Sequence, residues 1–283
     1  MANRIVGAIS EIKYTKTGLI GLILLTVLVT IALIAPLLPI PDPHSTEFQP
    51  FLPPSKAHPM GTDNLGRDIF SRVLWGTRTS LAVGLVAAGL SAIIGVLVGG
   101  IAGYYGGTID DVLSRITEIF LVIPGFFLAL LVVSIFGSSL INIMVVLGLL
   151  TWPSNARLMR AQALSLKERE FIQALKVSGV SDLKIVLRHI IPNGIQPIIA
   201  NTFLQMAGAI ITEAGLSFIG LGDPNVVSWG KMIYEGQIYI TSYWWVPIFP
   251  GIFLVLTVLA LNLLGDGLLT LLNPKLRRAI GVS

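Results

Sequence analysis

Three histidines (His44, His58, His189) and no cysteine are what this chain offers for metal, redox or nucleophilic chemistry. Without cysteine there is no disulfide scaffold, no thiolate-ligated zinc or iron–sulfur site and no thiol nucleophile. No two of the histidines stand at metal-ligand spacing, so neither a metal site nor a catalytic residue is expected. One glycine-bearing segment, His58-Pro-Met-Gly-Thr-Asp-Asn-Leu-Gly-Arg-Asp68, invites comparison with a phosphate cradle. It lacks the Gly-Lys-Ser/Thr ending whose lysine and hydroxyl would meet a nucleotide and its magnesium. Its Gly61, Asp63, Gly66, Arg67 and Asp68 have instead the composition of a tight folded turn. The remaining candidates are polar groups inside apolar runs: Asn201, Gln205, Glu213, Asn262 and Asp266. Such groups either line a pathway or hydrogen-bond between packed helices. Glu213 and Asp266 stand near helix ends, where water or capping would satisfy them.

The elements that must position these residues are set by composition. Of 283 residues, 12% are charged and 54% hydrophobic, with a mean hydropathy of +0.83. A soluble chain carries roughly 25% charged residues, so this one lacks the surface chemistry of a water-soluble domain. Runs free of Asp, Glu, Lys and Arg cover residues 17–41, 79–109, 119–156, 190–212 and 236–265. The run 119–156 would extend about 57 Å as one helix, nearly twice a bilayer core of about 30 Å. It must therefore turn, and Gly137-Ser138-Ser139 is the natural place. The expected fold class is an all-α integral membrane protein with six transmembrane helices. The first run follows Lys13 and Lys16, but it is too long for a signal h-region. Pro36-Leu-Leu-Pro39 also lacks a small-residue cleavage pattern, so the first span is expected to stay.

Basic residues set the orientation. The N-terminal tail (Arg4, Lys13, Lys16), Arg115, the loop after the fourth span (Arg157, Arg160, Lys167, Arg169, Lys176, Lys184, Arg188) and the C-terminal tail (Lys275, Arg277, Arg278) fall on one side. The other side holds Lys56, Arg67, Arg72, Arg78 and Lys231. Both termini are therefore expected in the cytoplasm of a cell (inner or plasma) membrane, in contact with lipid, and the basic excess needs no nucleic acid. Trp75, Trp229, Trp244 and Trp245 gather near the proposed outer interface. Pro124, Pro153 and Pro197 read as packing kinks, and Gly95, Gly99 and Gly103, four apart, as close-packing positions.

Two loops exceed mere connectors. The external one, residues 39–77, opens with prolines and ends in the Gly61–Asp68 turn. The cytoplasmic one, residues 155–192, carries Ser165-Leu-Lys-Glu168 in capping-box form and Gly179 as a left-handed helix end. The helix between them gathers Leu164, Phe171, Ile172 and Leu175 on one side, with Lys167, Arg169 and Lys176 elsewhere. Its apolar side must lie on the membrane surface or in a groove of a soluble partner. The chain divides into residues 1–77 (tail, first span, external loop) and residues 78–283, a five-helix core that includes this loop.

Glu170-Phe-Ile-Gln-Ala-Leu-Lys-Val-Ser-Gly179, followed by Arg188-His-Ile-Ile-Pro-Asn193, resembles the cytoplasmic "EAA" loop of permease subunits of ABC importers. Three further stretches resemble the C-type permease of dipeptide, oligopeptide and nickel importers. They are His58–Asp68; Glu213-Ala-Gly-Leu-Ser-Phe-Ile-Gly-Leu-Gly222 with Ser228-Trp-Gly230; and Asn262-Leu-Leu-Gly-Asp-Gly267 with Asn273-Pro-Lys-Leu-Arg277. The resemblance spans the whole chain in order. It implies a type I ABC importer permease fold with a coupling helix between the fourth and fifth spans, and no ATP hydrolysis on this chain. ATP and magnesium would be bound by two cytoplasmic ATPase subunits, beside a homologous B-type permease and an extracytoplasmic solute-binding protein. Carried over, Glu170, Phe171, Gln173, Ala174, Leu175, Gly179 and Pro192 would couple to the ATPases, and Gly61, Asp63, Gly66, Arg67 and Asp68 would shape an external docking element. Gln173 and Leu175 depart from the pattern, which has Glu and Ala there, and Leu268-Leu-Thr-Leu-Leu-Asn273 is more apolar than the family's charged run.

The resemblance favours di- and oligopeptides as solute, with oligosaccharides or nickel on the same architecture as the alternative. An ion-gradient-driven secondary transporter would need paired intramembrane charges and an internal repeat; the sequence has neither. A membrane enzyme would need a nucleophile–base set or a metal cluster in the spans, also absent from the sequence.

Overall fold

The computed structural model describes residues 15–272. The tail residues Arg4 and Lys13, and the segment from Asn273 with Lys275, Arg277 and Arg278, lie outside the described residues. Helix α1 (Lys16–Ile34) runs into a 3-10 turn (Ala35–Leu37) at Pro36. Irregular external chain then leads to α2 (Ile69–Tyr105), which at 37 residues is about 55 Å long. It begins ten residues before the apolar run because Asp68 caps it, accepting from the Ser71 amide at 2.8 Å. It therefore runs straight through the division between residues 77 and 78. Gly106 (φ 70°) and Gly107 (φ 52°) reverse the chain into α3 (Gly107–Val122).

The chain turns at Gly137 (φ 94°) and Ser139, as the sequence predicts. The pass before that turn is broken as well: α3 and α4 (Gly125–Phe136) meet at Pro124 with their axes bent by 84°. Helix α5 (Leu140–Lys167) follows and continues through Pro153. Then come α6 (Glu170–Val177), α7 (Asp182–Ile185), a π-turn (Val186–Ile190) and α8 (Ile191–Gly194). Helix α9 (Gln196–Leu216) has Pro197 in its first turn, where a missing N–H costs nothing. A second π-turn (Ser217–Leu221) leads to α10 (Trp229–Gly236) and α11 (Trp245–Leu272). Among the described residues there is no β-strand; a lone bridge pairs Thr62 with Asp68.

By length and composition, four stretches can cross a bilayer: α1 with its 3-10 turn, α2, α9 with its π-turn, and α11. The bent pair α3–α4 makes a fifth. Helix α5 has 28 residues, enough length to cross, but its second half carries Asn155, Arg157 and Arg160.

Helix α2 is the centre of the bundle. Its C-terminal half crosses α5 with almost no side chain between the backbones. A Cβ on Gly99 would stand 2.2 Å from the Ala156 carbonyl oxygen, and one on Gly103 2.6 Å from that of Arg160. The glycines spaced by four are thus the close-packing positions the sequence suggested. Helix α11 meets α1 in the same way, with a Cβ on Gly267 falling 2.4 Å from Gly18 Cα. Outward, Val122, Phe127 and Ile135 of the bent pair are largely exposed, as a lipid-facing or partner-facing surface requires.

Gly99→Ala should therefore force α2 and α5 apart, at a cost on the order of 1–3 kcal/mol. A Cβ at Gly89, on the same helix, meets nothing within 4 Å. Melting in detergent should shift down for Gly99→Ala and stay put for Gly89→Ala; equal melting would place the crossing elsewhere.

Candidate functional site

The segment between α5 and α9 is built differently from the sequence expectation in its first half. Ser165 lies in the last turn of α5 and Arg169, not Ser165, precedes α6, so the capping box does not form. The reason is that α5 does not end where its apolar run ends: Met159, Ala163 and Leu166 are buried and carry the helix on to Lys167. The loop 155–192 accordingly opens with three turns of α5. The second half agrees with the expectation. Gly179 has φ 75°, its amide donates to the Lys176 carbonyl at 3.0 Å, and the Val180 amide donates to that of Leu175 at 3.1 Å. This pair of bonds is a Schellman end.

Between those ends α6 is eight residues long and holds Glu170, Phe171, Gln173, Ala174 and Leu175 together. Within α6 only Ile172 is buried, in a cluster containing Val96, Tyr104, Met159, Ile185 and Ile190. Burying it contributes about 1.5–3 kcal/mol. Phe171 does not join it: it is 43% exposed, and Val177, at the end of the i, i+3, i+6 stripe with Ala174, is 90% exposed. The Gln173 amide donates to the Lys167 carbonyl at 2.9 Å, bracing α6 against the end of α5. Pro192 stands apart from these, in α8 beyond the π-turn.

Ahead of α2, Gly61, Asp63, Gly66, Arg67 and Asp68 do come together, around a buried ion-pair cluster. Asp63 Oδ2 accepts from Arg67 Nε at 2.6 Å and Arg72 Nη1 at 2.5 Å, while its Oδ1 accepts from the amides of Leu65 (2.9 Å) and Arg67 (3.0 Å). Both arginines also reach Glu235 Oε2 at 2.8 Å. Asp68 Oδ2 pairs with His58 Nδ1 at 2.8 Å. Gly66 (φ 75°) could not be replaced, since a Cβ there would fall 2.0 Å from the Phe48 carbonyl oxygen. The Trp229 and Trp245 indoles donate to the Val73 and Thr62 carbonyls at 3.1 and 3.3 Å. The segment 39–68, α10 and the N-terminal end of α2 are thereby one folded cap. Burial is the main reason the neighbouring Lys231 ammonium sits below the usual lysine range; Glu235 opposes that shift, and Arg72 and Arg67 add to it. Sequence reasoning missed Glu235, because nothing local ties residue 235 to residue 63.

Inside the bundle, Asn201 and Gln205 of α9 meet Asn155 and Ser91. Asn155 Nδ2 donates to Gln205 Oε1 at 2.8 Å, Ser91 Oγ donates to the same oxygen at 2.8 Å, and Asn201 Nδ2 donates to Asn155 Oδ1 at 2.9 Å. Gln205 Nε2 donates to the Thr151 carbonyl at 3.0 Å. The network joins α2, α5 and α9. Asn155 was read as the start of a loop; the matched i, i+4 spacing of Thr151/Asn155 and Asn201/Gln205 was the signal that could have placed it. Glu213 is not part of this network. It is 1% exposed, and its Oε1 accepts from Ser217 Oγ at 2.7 Å and Ser228 Oγ at 2.9 Å, joining α9 to α10. Asn262 donates to the Val258 carbonyl within its own helix at 2.9 Å, and Asp266 is exposed on α11.

Residues 95–278 match the family model described as binding-protein-dependent transport system inner membrane component. The chain is 40% identical over 272 residues to the dipeptide transport system permease protein DppC of Alkalihalophilus pseudofirmus, covering 95% of this chain and 90% of that one. It is 36% identical to the oligopeptide transport system permease protein OppC of Bacillus subtilis (96% and 90% covered). Identity is 43% to the glutathione transport system permease protein GsiD of Pectobacterium atrosepticum (79% and 75% covered). Among solved structures, an inward-facing form of the MetNI methionine ABC transporter superposes with a TM-score of 0.55 at 21% identity, covering 74% of this chain and 96% of that one. That likeness bears on the fold.

Asp63→Asn leaves two buried guanidinium groups facing half of their counter-charge, which costs roughly 3–5 kcal/mol. Glu235→Gln should cost less, since its side chain is 22% exposed and water can stand in. Limited proteolysis of the external loop should accelerate strongly for Asp63→Asn and weakly for Glu235→Gln; the reverse order would show that Glu235 is the keystone.

Proposed function

The chain belongs to the family of binding-protein-dependent transport system inner membrane components, and on that premise we propose that it is the C-type permease subunit of an ATP-driven importer of di- and oligopeptides. Relatives named for dipeptide, oligopeptide and glutathione transport, at 36–43% identity, favour peptides over nickel or oligosaccharides. A family of this kind also disfavours an ion-gradient-driven secondary transporter. In this reading the spans number six: α1, α2, the bent pair α3–α4, α5, α9 and α11. Both termini and α6 face the cytoplasm, and the cap of residues 39–77 with α10 faces outward to a solute-binding protein. A B-type permease completes the pathway, and two ATPase subunits bind ATP and magnesium beneath it.

The observation that carries the coupling role is α6. A helix with two turns, a closed Schellman end and one buried anchor holds its place, yet it leaves Phe171, Ala174 and Val177 uncovered. Such a stripe fits a groove on a soluble partner. Movement of the ATPases then shifts the permease between conformations that differ in affinity for the closed and open ATPase pair. Asn201 and Gln205, locked to Asn155, serve as interhelical glue. Glu213 ties α9 to α10. Asp63 and Arg67 hold the outer cap and have no part in nucleotide binding. Asn262 and Asp266 are assigned to packing and to the inner surface.

Orientation is testable because the chain has no cysteine. Single cysteines at Ser55 or Ser242 should label in intact cells, and one at Ser165 only after permeabilisation; external labelling at Ser165 would invert the whole assignment. Phe171→Ala should weaken co-purification of the ATPase subunits by about 2 kcal/mol, with Val177→Asp additive or stronger and Lys167→Ala nearly silent. Retention of full association by Phe171→Ala and Val177→Asp would leave α6 a membrane-surface helix instead.

A further inference from the structure

Tyr104 closes the inner end of α2 and is buried in the same cluster as Ile172 of the cytoplasmic loop. Its hydroxyl donates to Asp182 Oδ1 at 2.5 Å. The Lys176 ammonium lies 5.0 Å from the centroid of its ring, within cation–π range. Lys176 is in the last turn of α6 and Asp182 is the first residue of α7, so one tyrosine holds both arms of the loop, on either side of Gly179. Lys176 and Asp182 carry opposite charges but form no ion pair with each other among the described residues; each is turned onto Tyr104.

The covalent joint between α5 and α6 is short, Glu168-Arg169, and a helix on such a joint can pivot. The apolar cluster around Ile172 resists separation but is non-directional. A hydrogen bond is directional, and the Tyr104–Asp182 bond sets where the loop stands against α2. Helix α2 is in turn fixed to α5 beside that point, since a Cβ on Gly103 would fall 2.7 Å from the Ala163 Cβ. A displacement of α6 therefore has a stiff route into α2 that bypasses the Glu168-Arg169 joint.

We propose that Tyr104, with Asp182 and Lys176, is the latch that ties movement of the cytoplasmic loop to α2 and so keeps ATP hydrolysis by the partner subunits coupled to solute passage. The latch rests on the reading of α6 as the ATPase-coupling helix and names the positioning residues through which it acts. Tyr104→Phe removes the hydroxyl and keeps the ring for Lys176. Asp182→Ala removes the acceptor, and Asp182→Asn keeps an acceptor oxygen without the charge.

The test uses the whole complex, reconstituted with its ATPases and binding protein in liposomes, with labelled dialanine as solute. Tyr104→Phe and Asp182→Ala should co-purify with the ATPases as the unaltered chain does. ATP hydrolysed per dipeptide imported should rise about tenfold, the effect of losing one hydrogen bond to a carboxylate on a two-state equilibrium. Asp182→Asn should restore most of the coupling, and the double variant Tyr104→Phe/Asp182→Ala should be no worse than either single one. An unchanged ratio, or import and hydrolysis falling in parallel, overturns the latch and leaves the coupling reading standing. Loss of ATPase association in Tyr104→Phe also overturns it, by making Tyr104 a support for docking. Failure of the unaltered chain to bind the ATPases overturns the coupling reading and the latch with it. If dialanine is not imported at all, the peptide reading fails, and the ratio of binding-protein-stimulated to basal hydrolysis reads the latch instead.

Discussion

Helices in a bilayer gain little by touching one another, because lipid tails are as apolar as leucine side chains. What holds these spans is close backbone approach together with polar groups that have nowhere else to go, and both are concentrated where α2 crosses α5. With Gly99 and Gly103 against the carbonyls of Ala156 and Arg160, the two backbones come close enough for dispersion contacts along several turns. That approach brings Ser91 within reach of Asn155, and Asn155 within reach of Gln205 and Asn201. A side chain at the glycines would separate the helices and leave buried amides unpaired, at a cost of about 1–3 kcal/mol for each orphaned group.

Helix α2, about 55 Å long, exceeds a bilayer core of about 30 Å, and each of its ends organises one part of the molecule. At its N-terminal end Arg72, one turn into the helix, draws Asp63 and Glu235 into a single cap. At its C-terminal end Tyr104 receives both arms of the loop around Gly179. The cap and that loop are thus mounted on one continuous helix.

The bond between α3 and α5 adds a second tie. Arg160 donates to both oxygens of Asp110, from Nε at 2.5 Å and Nη2 at 2.6 Å, in the planar fork geometry that suits guanidinium and carboxylate. It fixes the start of the bent pair just after the Gly106-Gly107 reversal, while the far side of the 84° bend packs through Ala129 and Val133 among residues of α2, α5 and α9. The two halves of that pass are therefore anchored separately.

The sequence by itself determined the membrane solvent, the all-helical class, the turn at Gly137–Ser139 and the left-handed helix end at Gly179. These follow from composition, run length and backbone sterics, which are local quantities. It also marked Gly95, Gly99 and Gly103, because a period of four on an apolar helix is a local pattern with one physical use. Tertiary structure alone decided where α2 starts and where α5 stops. Asp68 starts α2 beyond the apolar run, and burial of Met159, Ala163 and Leu166 carries α5 past Ser165, removing the capping box that the local pattern advertised. It alone turned Phe171 outward from Ile172, and paired Arg67 and Arg72 with Glu235 and Tyr104 with Asp182. Those partners lie 78 residues or more apart along the chain. Each pairing depends on which helix faces are brought together, and a sequence carries that information only through the packing of all its spans at once.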